Sequence, residues 1–464
     1  MSIWPPEKGS LRRPAYRSLS QTLLAAIEAG ELKPGDQLPT HRDLAFRLGL
    51  SVQTVSRAYE ELIRLDVIEG GVGRGTFVRT APGMRGPSSP YHRIDSSDPI
   101  IDCSMLTPVL SDLHIERFQD TLRDMADGLP PETLFSFRPR KALWSHAMRG
   151  VEWLRYCGIR TQASLVIPTN GNSAAMTVAL MTAASQGDLI MTEELCHHTL
   201  AALIRYLGMR HATVPSDEGG IDLAALDRFC AGRAVKALYI LPSGLGPTGR
   251  VMPAERRREL GELARKHGFL IIENDACGPI DARRPAPVAS FAPERSFYHT
   301  GFSKCLLPGL RLGYLVVPEA FEAAASSRNL AVQWMATPLM AEIASRWVDS
   351  GTALELLRWQ RSALARRNAI AAKRLEEFDI RARPRGLHVW LPLSEGWTED
   401  SFVTRARLQG VAVAPGSSFS MTENPAEKGL RICLGAPDEK ALDHGLSVVA
   451  RLAKSGGEPS FLTI

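Results

Sequence analysis

Residues 299–316 read HTGFSKCLLPGLRLGYLV. Lys304 follows a predicted strand over 296–299, and Arg311 comes seven residues later, just before a second predicted strand over 312–317. A lysine among small, apolar and hydroxyl neighbours is desolvated, which lowers its pKa and readies the amine to condense with a carbonyl. An arginine close by offers a rigid guanidinium fork to a phosphate. A reactive lysine beside a phosphate-binding arginine points to pyridoxal 5'-phosphate as cofactor.

Working outward, further short apolar runs lie at 165–167, 189–191, 237–241 and 269–272. Helix-length segments separate them, which predicts an α/β body with a doubly wound, mostly parallel sheet. IPTNGNSAAM (167–176) passes from strand to helix through Gly171, so the amides of Gly171, Asn172 and Ser173 are placed to cradle a phosphate at a helix N-terminus. LPSGLGPTGRV (241–251) and IIENDACGPI (271–280) also follow predicted strands. They place 247–249, Asn274 and Asp275 at strand C-terminal ends, where open parallel sheets bind ligands. Residues 326–378 read as mostly helical, and short strands at 387–391 and 430–434 predict a small α+β domain at the end.

Before residue 81 the pattern is different. Leu19, Leu23 and Ile27 form one apolar helical face, Leu44, Ala45 and Leu48 a second, and Val52, Val55, Tyr59 and Leu62 a third. Thr40 with Asp43 fits a capping box, Gly49 ends that helix, and Ser51 caps the next. The tight turn makes a helix-turn-helix whose second helix presents Gln53, Thr54 and Arg57 outward. GGVGRGTF (70–77) then reads as a hairpin with Arg74 at its tip, which makes the unit winged. Residues 81–99, rich in Pro, Gly and Ser, read as a linker. The expected division is 1–80 DNA-binding head, 81–99 linker, 100–325 large cofactor domain and 326–464 helical connection with small domain.

The chain has 464 residues, with 55 basic and 50 acidic side chains for a formal charge of +5. So mild an excess does not by itself indicate nucleic acid. Seven widely spaced cysteines without a CxxC pair indicate neither a disulfide framework nor a zinc site. No apolar run approaches the ~18–20 residues that span a bilayer, and the start, with Pro5, Pro6 and Glu7, lacks a signal-peptide core. A cytoplasmic location is expected.

The string LPTHRDLAFRLGLSVQTVSRAYEELIRLDVIEGGVGRGTFV (38–78) resembles the GntR family of bacterial regulators. That resemblance implies that Arg42 anchors to the DNA backbone, that Ser51, Gln53, Thr54 and Arg57 lie at the duplex, that Gly75 and Thr76 shape the wing, and that Arg74 reaches a groove or phosphate. From about residue 101 onward the chain resembles the fold-type I aminotransferases. With the head, the whole resembles the MocR branch of GntR regulators. The resemblance implies that Lys304 bonds the cofactor, that Arg311 and Ser303 lie at it, that Arg431 in LRICLGAP anchors a substrate carboxylate, and that His197 in TEELCHH stacks on the pyridine ring.

The departures from that pattern concern catalysis. The family usually sets an acidic residue against the pyridine nitrogen, and alignment puts Asn274 there with Asp275 beside it; either could meet the ring. Cys277, Gly301 and the pair Gly244 and Gly246 replace polar or bulkier residues, each removing a contact of roughly 0.5–1.5 kcal/mol. The expected function is a transcription regulator that reads double-stranded operator DNA as a homodimer and senses the cofactor, an amino acid or another amine. An aminotransferase with a DNA-binding appendage, and a regulator with a cofactor-free body, are the alternatives.

Overall fold

The computed structural model describes residues 4–6, 11, 14–28, 31–33, 35–64, 67–71, 75–78, 100–137, 140–423 and 425–456. Arg74 and the expected linker 81–99 lie outside them. The chain divides into two compact units, Met1–Ile94 and Asp95–Ile464.

The first unit contains α1 (Ala15–Glu28), β1 (Gln37–Leu38), α2 (His41–Leu48), α3 (Val52–Arg64), β2 (Ile68–Gly71) and β3 (Gly75–Val78). The three strands form one antiparallel sheet in the order β1-β3-β2. Thr40 caps α2 by accepting the Asp43 N–H at 3.2 Å, and Gly49 ends it in the left-handed region at φ 66°. The Asp43 carboxylate does not complete a capping box; it pairs with Arg47 at 2.7 Å. Leu19, Leu23, Leu44, Leu48, Val55 and Leu62 are buried, so the three apolar faces read from the sequence meet in one core.

Among the described residues the second unit holds a large sheet, a small sheet and a two-stranded ribbon of Ser216–Asp217 and Gly220–Ile221. Its strands are β4 (Ile101–Cys103), β5 (Val166–Thr169), β6 (Leu189–Glu193), β7 (Arg210–Val214), β8 (Ser216–Asp217), β9 (Gly220–Ile221), β10 (Ala237–Ile240), β11 (Leu270–Asn274), β12 (Ser296–Gly301), β13 (Gly313–Val316), β14 (His388–Pro392), β15 (Val411–Pro415) and β16 (Gly429–Cys433). The large sheet runs β5-β13-β12-β11-β10-β6-β7. All its pairs are parallel except those of β13, which is antiparallel to both neighbours. The connection 302–312 is too short for the crossover helix that a parallel return needs. The chain therefore doubles back after Lys304, and that reversal builds the site.

The helix Gly171–Ala183 is buried on nearly all sides, between the sheet and the helix Glu322–Gln333. The helices Pro338–Asp349 and Thr352–Arg374 then lead to the small sheet, β14-β16-β15-β4. In it β4 pairs in parallel with β15. Residues 101–103 thus belong to the small sheet, not to the large domain in which the 100–325 boundary put them. Their partner lies some 310 residues ahead, beyond the reach of local pattern.

Candidate functional site

The turn after β12 carries Lys304, whose Nζ donates to the carbonyl of Leu106. Burial holds the Lys304 amine below the ordinary lysine value of 10.5, and the positive charges of Arg431 and Arg311 act in the same direction. The nearby Cys277 thiol is pushed up to about 12 by burial, so near neutral pH it carries no charge to offset them.

Arg311 follows the short turn Pro308–Leu310 and adopts φ 46°, in the left-handed region that L-residues rarely occupy. The conformation brings its guanidinium against Gly171. A Cβ on Gly171 would lie 3.0 Å from Arg311 Nη2, and Gly171 itself has φ +79° as it opens the helix Gly171–Ala183. Where the two segments cross, a Cβ on Gly313 would lie 2.9 Å from the Gly171 carbonyl carbon. Helix N-terminus, guanidinium and two side-chain-free crossings form a cradle for an anion. Ser303 Oγ is buried and has no partner among the described residues. Asn172 is half-buried and Ser173 exposed at the same helix start.

Asn274 and Asp275 point to opposite faces of β11, as strand alternation requires. Asn274 Oδ1 accepts from Asn172 Nδ2 at 2.7 Å, and its Nδ2 donates to the Tyr239 hydroxyl at 2.7 Å. Asn172 Oδ1 in turn meets His299 Nδ1 at 2.8 Å, and burial takes His299 down to about 3, so this row is neutral. Asp275 sits on the other face. Its Oδ2 accepts the Tyr298 hydroxyl at 2.5 Å and pairs with Arg284 at 2.6 Å. Burial raises the Asp275 carboxyl, while Arg284 and Tyr298 pull it back. Arg257 and Glu273 complete a buried charge cluster there, with Glu273 raised to about 7 by burial and by Asp275.

Arg431 projects from β16. Its Nη2 donates to the Ser104 carbonyl at 2.9 Å, its Cζ stands 4.3 Å from the centre of the Phe419 ring, and its Nε is buried without a partner among the described residues. Phe419 meets His198 edge-on, and His198 stacks on His197 at 4.5 Å. Burial holds His197 well below its ordinary pKa, and the charges of Lys304 and Arg431 add to the effect. Lys304, Arg311, Arg431 and His197 therefore lie together. Among the expected residues Asp275 stands apart, committed to the opposite face.

Tyr239, His299, Tyr298 and Arg284 were not foreseen in these roles. Their partners lie 35, 127, 23 and 9 positions away in the chain, and no local spacing marks them. Gly301 has a backbone reason: a Cβ there would come 2.9 Å from the Leu312 carbonyl across the β12–β13 pair. Gly244, at φ +78°, admits Arg383, whose Cδ would lie 3.0 Å from a Cβ.

In the head, Ser51 Oγ accepts the Thr54 N–H at 3.1 Å and caps α3. Arg42, Gln53 and Arg57 are exposed, and Arg57 packs over Tyr16 at 4.3 Å. Gly75, at φ +102°, starts β3 where a Cβ would lie 2.5 Å from Gln37 Nε2, and Thr76 pairs with Leu38. Gln53 and Arg57, four residues apart, thus share the exposed side of α3, with Ser51 at its start.

Pyridoxal phosphate can be tested against these residues. The cradle of Gly171 and Arg311, the unpartnered Ser303 hydroxyl and the deprotonation-prone Lys304 fit its phosphate and aldehyde. The neutral Asn274 row does not supply a charged partner for its ring. The group fits as a bound ligand, with a weakened electron sink.

Comparison with known proteins agrees with this geometry. Residues 140–449 match the family of class I and II aminotransferases, and residues 15–78 match the bacterial regulatory proteins of the gntR family. An uncharacterized HTH-type transcriptional regulator of Bacillus subtilis, YdeF, is 27% identical over 97% of this chain and 96% of its own length. The HTH-type transcriptional regulator TauR of Rhodobacter capsulatus is 24% identical over 96% and 97%. The 2-aminoadipate transaminase of Thermus thermophilus is 27% identical over 65% of this chain and 77% of its own. Among solved structures, the kynurenine aminotransferase of Pyrococcus horikoshii shares the fold with a TM-score of 0.70 at 22% identity, over 77% of this chain and 92% of that one. Among the described residues no helix is long and apolar enough to cross a membrane.

Proposed function

We propose, for a chain that belongs to the class I and II aminotransferases and carries a gntR-type helix-turn-helix head, that it is a DNA-binding regulator whose body holds pyridoxal phosphate on Lys304 and senses amino compounds there. The observation that carries this reading is the clustering of the Lys304 amine, the Gly171–Arg311 cradle and the Arg431 guanidinium. The reading places the chain in the MocR branch.

When bound, pyridoxal phosphate supplies an aldehyde carbon that accepts primary amines. This chain's residues do the rest. Arg311 and the amides of Gly171, Asn172 and Ser173 would hold the phosphate, with the Ser303 hydroxyl as a further donor. Desolvation lowers the Lys304 pKa and so favours the unprotonated amine, the form that can attack a carbonyl. Arg431 would take the carboxylate of an incoming amino acid, and His197 is read as the cover for one side of the ring.

Two observations favour sensing over turnover. Asn274 is an amide tied to Asn172 and Tyr239, whereas the neighbouring carboxylate of Asp275 is held by Arg284 and Tyr298. The relatives that match nearly the whole chain are named transcriptional regulators. A homodimer is supported by exposed apolar side chains on three successive helices, among them Ile115, Leu122, Phe135 and Trp144, a surface that a second copy would cover. In the head, Arg42, Ser51, Gln53, Thr54 and Arg57 are read as the DNA face, with Gly75 and Thr76 shaping the wing and Arg74 at its tip.

The test is the visible absorption of wild type and Lys304→Ala after incubation with pyridoxal phosphate, followed by borohydride reduction and peptide mass analysis. A reducible band that is absent from the variant, with the added mass on the Lys304 peptide, is the expected result. No band in wild type refutes the cofactor.

A further inference from the structure

The chain enters the body along a segment that crosses two of the basic side chains of the site, Arg431 and Lys304. Ile101 N–H donates to the Gly410 carbonyl at 2.9 Å, and β4 lies along β15. Asp102 Oδ1 then accepts from the Ser104 N–H at 2.8 Å and from its hydroxyl at 2.6 Å, which turns the chain toward the site. The Ser104 carbonyl accepts from Arg431 Nη2 at 2.9 Å and from the Cys433 thiol at 3.5 Å. Two residues on, the Leu106 carbonyl accepts from Lys304 Nζ. The Thr107 carbonyl oxygen would lie 1.9 Å from a Cβ on Gly435, so the segment runs flush against the end of β16.

Arg431 thus has one donor on a neutral carbonyl and its guanidinium over the Phe419 ring, while its Nε is buried with no partner among the described residues. A carboxylate engages two parallel donors of a guanidinium and carries full charge, which makes it the stronger acceptor. From this competition we propose that residues 104–108 form a strap that the carboxylate of an amino-acid ligand displaces from Arg431. The ligand class follows: primary amines bearing a carboxylate move the strap, and simple amines do not. In the sequence this segment follows residues 79–99, which join it to the DNA-binding head. The inference rests on the cofactor-linked sensing reading for its ligand and on the two carbonyl contacts for its geometry.

Hydrogen–deuterium exchange of the cofactor-loaded full chain tests it, with absorption recorded on the same samples. The probes are L-alanine and ethylamine, which differ by the carboxylate. Both should shift the cofactor band, and only alanine should speed exchange across 101–108, by about tenfold or more for loss of a hydrogen bond to a charged group. A band shift by alanine with unchanged exchange overturns the strap and leaves the sensing reading standing; so does equal acceleration by ethylamine. If neither probe shifts the band, the sensing reading fails and cofactor-free Arg431→Ala decides the strap. Its exchange across 101–108 should rise about tenfold over wild type, with Arg431→Lys, which keeps a donor, falling between. Unchanged exchange in the Ala variant overturns the proposal.

Discussion

Replacing Arg284 by methionine would strand Asp275. The guanidinium pairs with the carboxylate at 2.6 Å, and both side chains are nearly inaccessible, at 6% and 0%. Arg284 also donates to the carbonyls of Gly278 at 2.5 Å and Cys157 at 2.6 Å. After the substitution Asp275 keeps the Tyr298 hydroxyl, and its Oδ1 already has no partner among the described residues. Breaking one side of a buried pair costs about 3–5 kcal/mol, and the two carbonyls that lose donors keep the expected value toward the upper half of that range. Adding Asp275→Asn removes the stranded charge, so the double variant should recover about 1.5–3 kcal/mol, as coupled neighbours do. Denaturant unfolding followed by tryptophan fluorescence is the assay. Trp153, Trp347 and Trp390 are fully buried in the second unit and report its unfolding. A loss below about 1 kcal/mol for Arg284→Met would refute the structural assignment of Asp275. So would abolition of pyridoxal phosphate binding by Asp275→Asn at unchanged stability, since Asp275 would then face the cofactor.

Gly171→Ala adds a Cβ 3.0 Å from Arg311 Nη2 at a backbone φ of +79°, so the affinity for pyridoxal phosphate should fall at least about tenfold while that for unphosphorylated pyridoxal changes little. Absorbance titrations with the two ligands check this. Burial takes His299 and His388 down to about 3, with the charge of Arg431 adding at His388. Both are neutral in the fold and titrate near 6.5 when unfolded, so their contribution to stability is complete above about pH 6.5 and is lost as pH falls toward 3, by about 1.4 kcal/mol per pH unit for each. The melting midpoint should drop between pH 6.5 and 5, and His388→Gln should flatten that drop. Asn274→Asp should raise keto-acid release from a bound amino acid at least about tenfold, measured in single turnover; no gain would remove Asn274 as the reason for weak catalysis. Arg57→Ala should weaken DNA binding and lower its salt slope by about one unit, and an unchanged slope would count against α3 as the DNA face.

The parts of this protein that were legible from sequence are those whose signal is local. β10 and β11 are buried along their whole length, and their near-continuous apolar runs say so directly. Thr40, Gly49 and Ser51 mark the helix ends of the head through side-chain and backbone preferences a few residues wide. β7, by contrast, is an edge strand reading RHATV with its first two residues exposed, so it lacks an apolar signature. β15, reading VAVAP, is short and alanine-rich, and β4 is three residues long. In the site, Lys304, Arg311 and Gly171 were legible because a strand–turn–strand and a glycine-led helix start carry them. The row from Tyr239 through Asn274 and Asn172 to His299 was not, because it is assembled by strand order and register alone.

On the proposed sensing reading, that row and the entry segment both favour binding over turnover. A catalyst of this fold gains when interactions strengthen as charge develops in the reacting ligand. Here the row at Asn274 is neutral at rest, and the charge of Asp275 is neutralised by Arg284 on the far face of β11. A sensor gains instead when ligand binding replaces contacts that hold one arrangement of the chain. The ligand-directed cation is already used in that way, Arg431 on the Ser104 carbonyl. Moving an equilibrium from 1:10 to 10:1 requires a hundredfold difference in affinity, about 2.7 kcal/mol at about 1.36 kcal/mol per tenfold. One carboxylate that exchanges a neutral acceptor for a bidentate charged one lies in that range, at about 1.5–3 kcal/mol. On the proposed reading, the ligand's carboxylate is therefore strong enough to act as the switch.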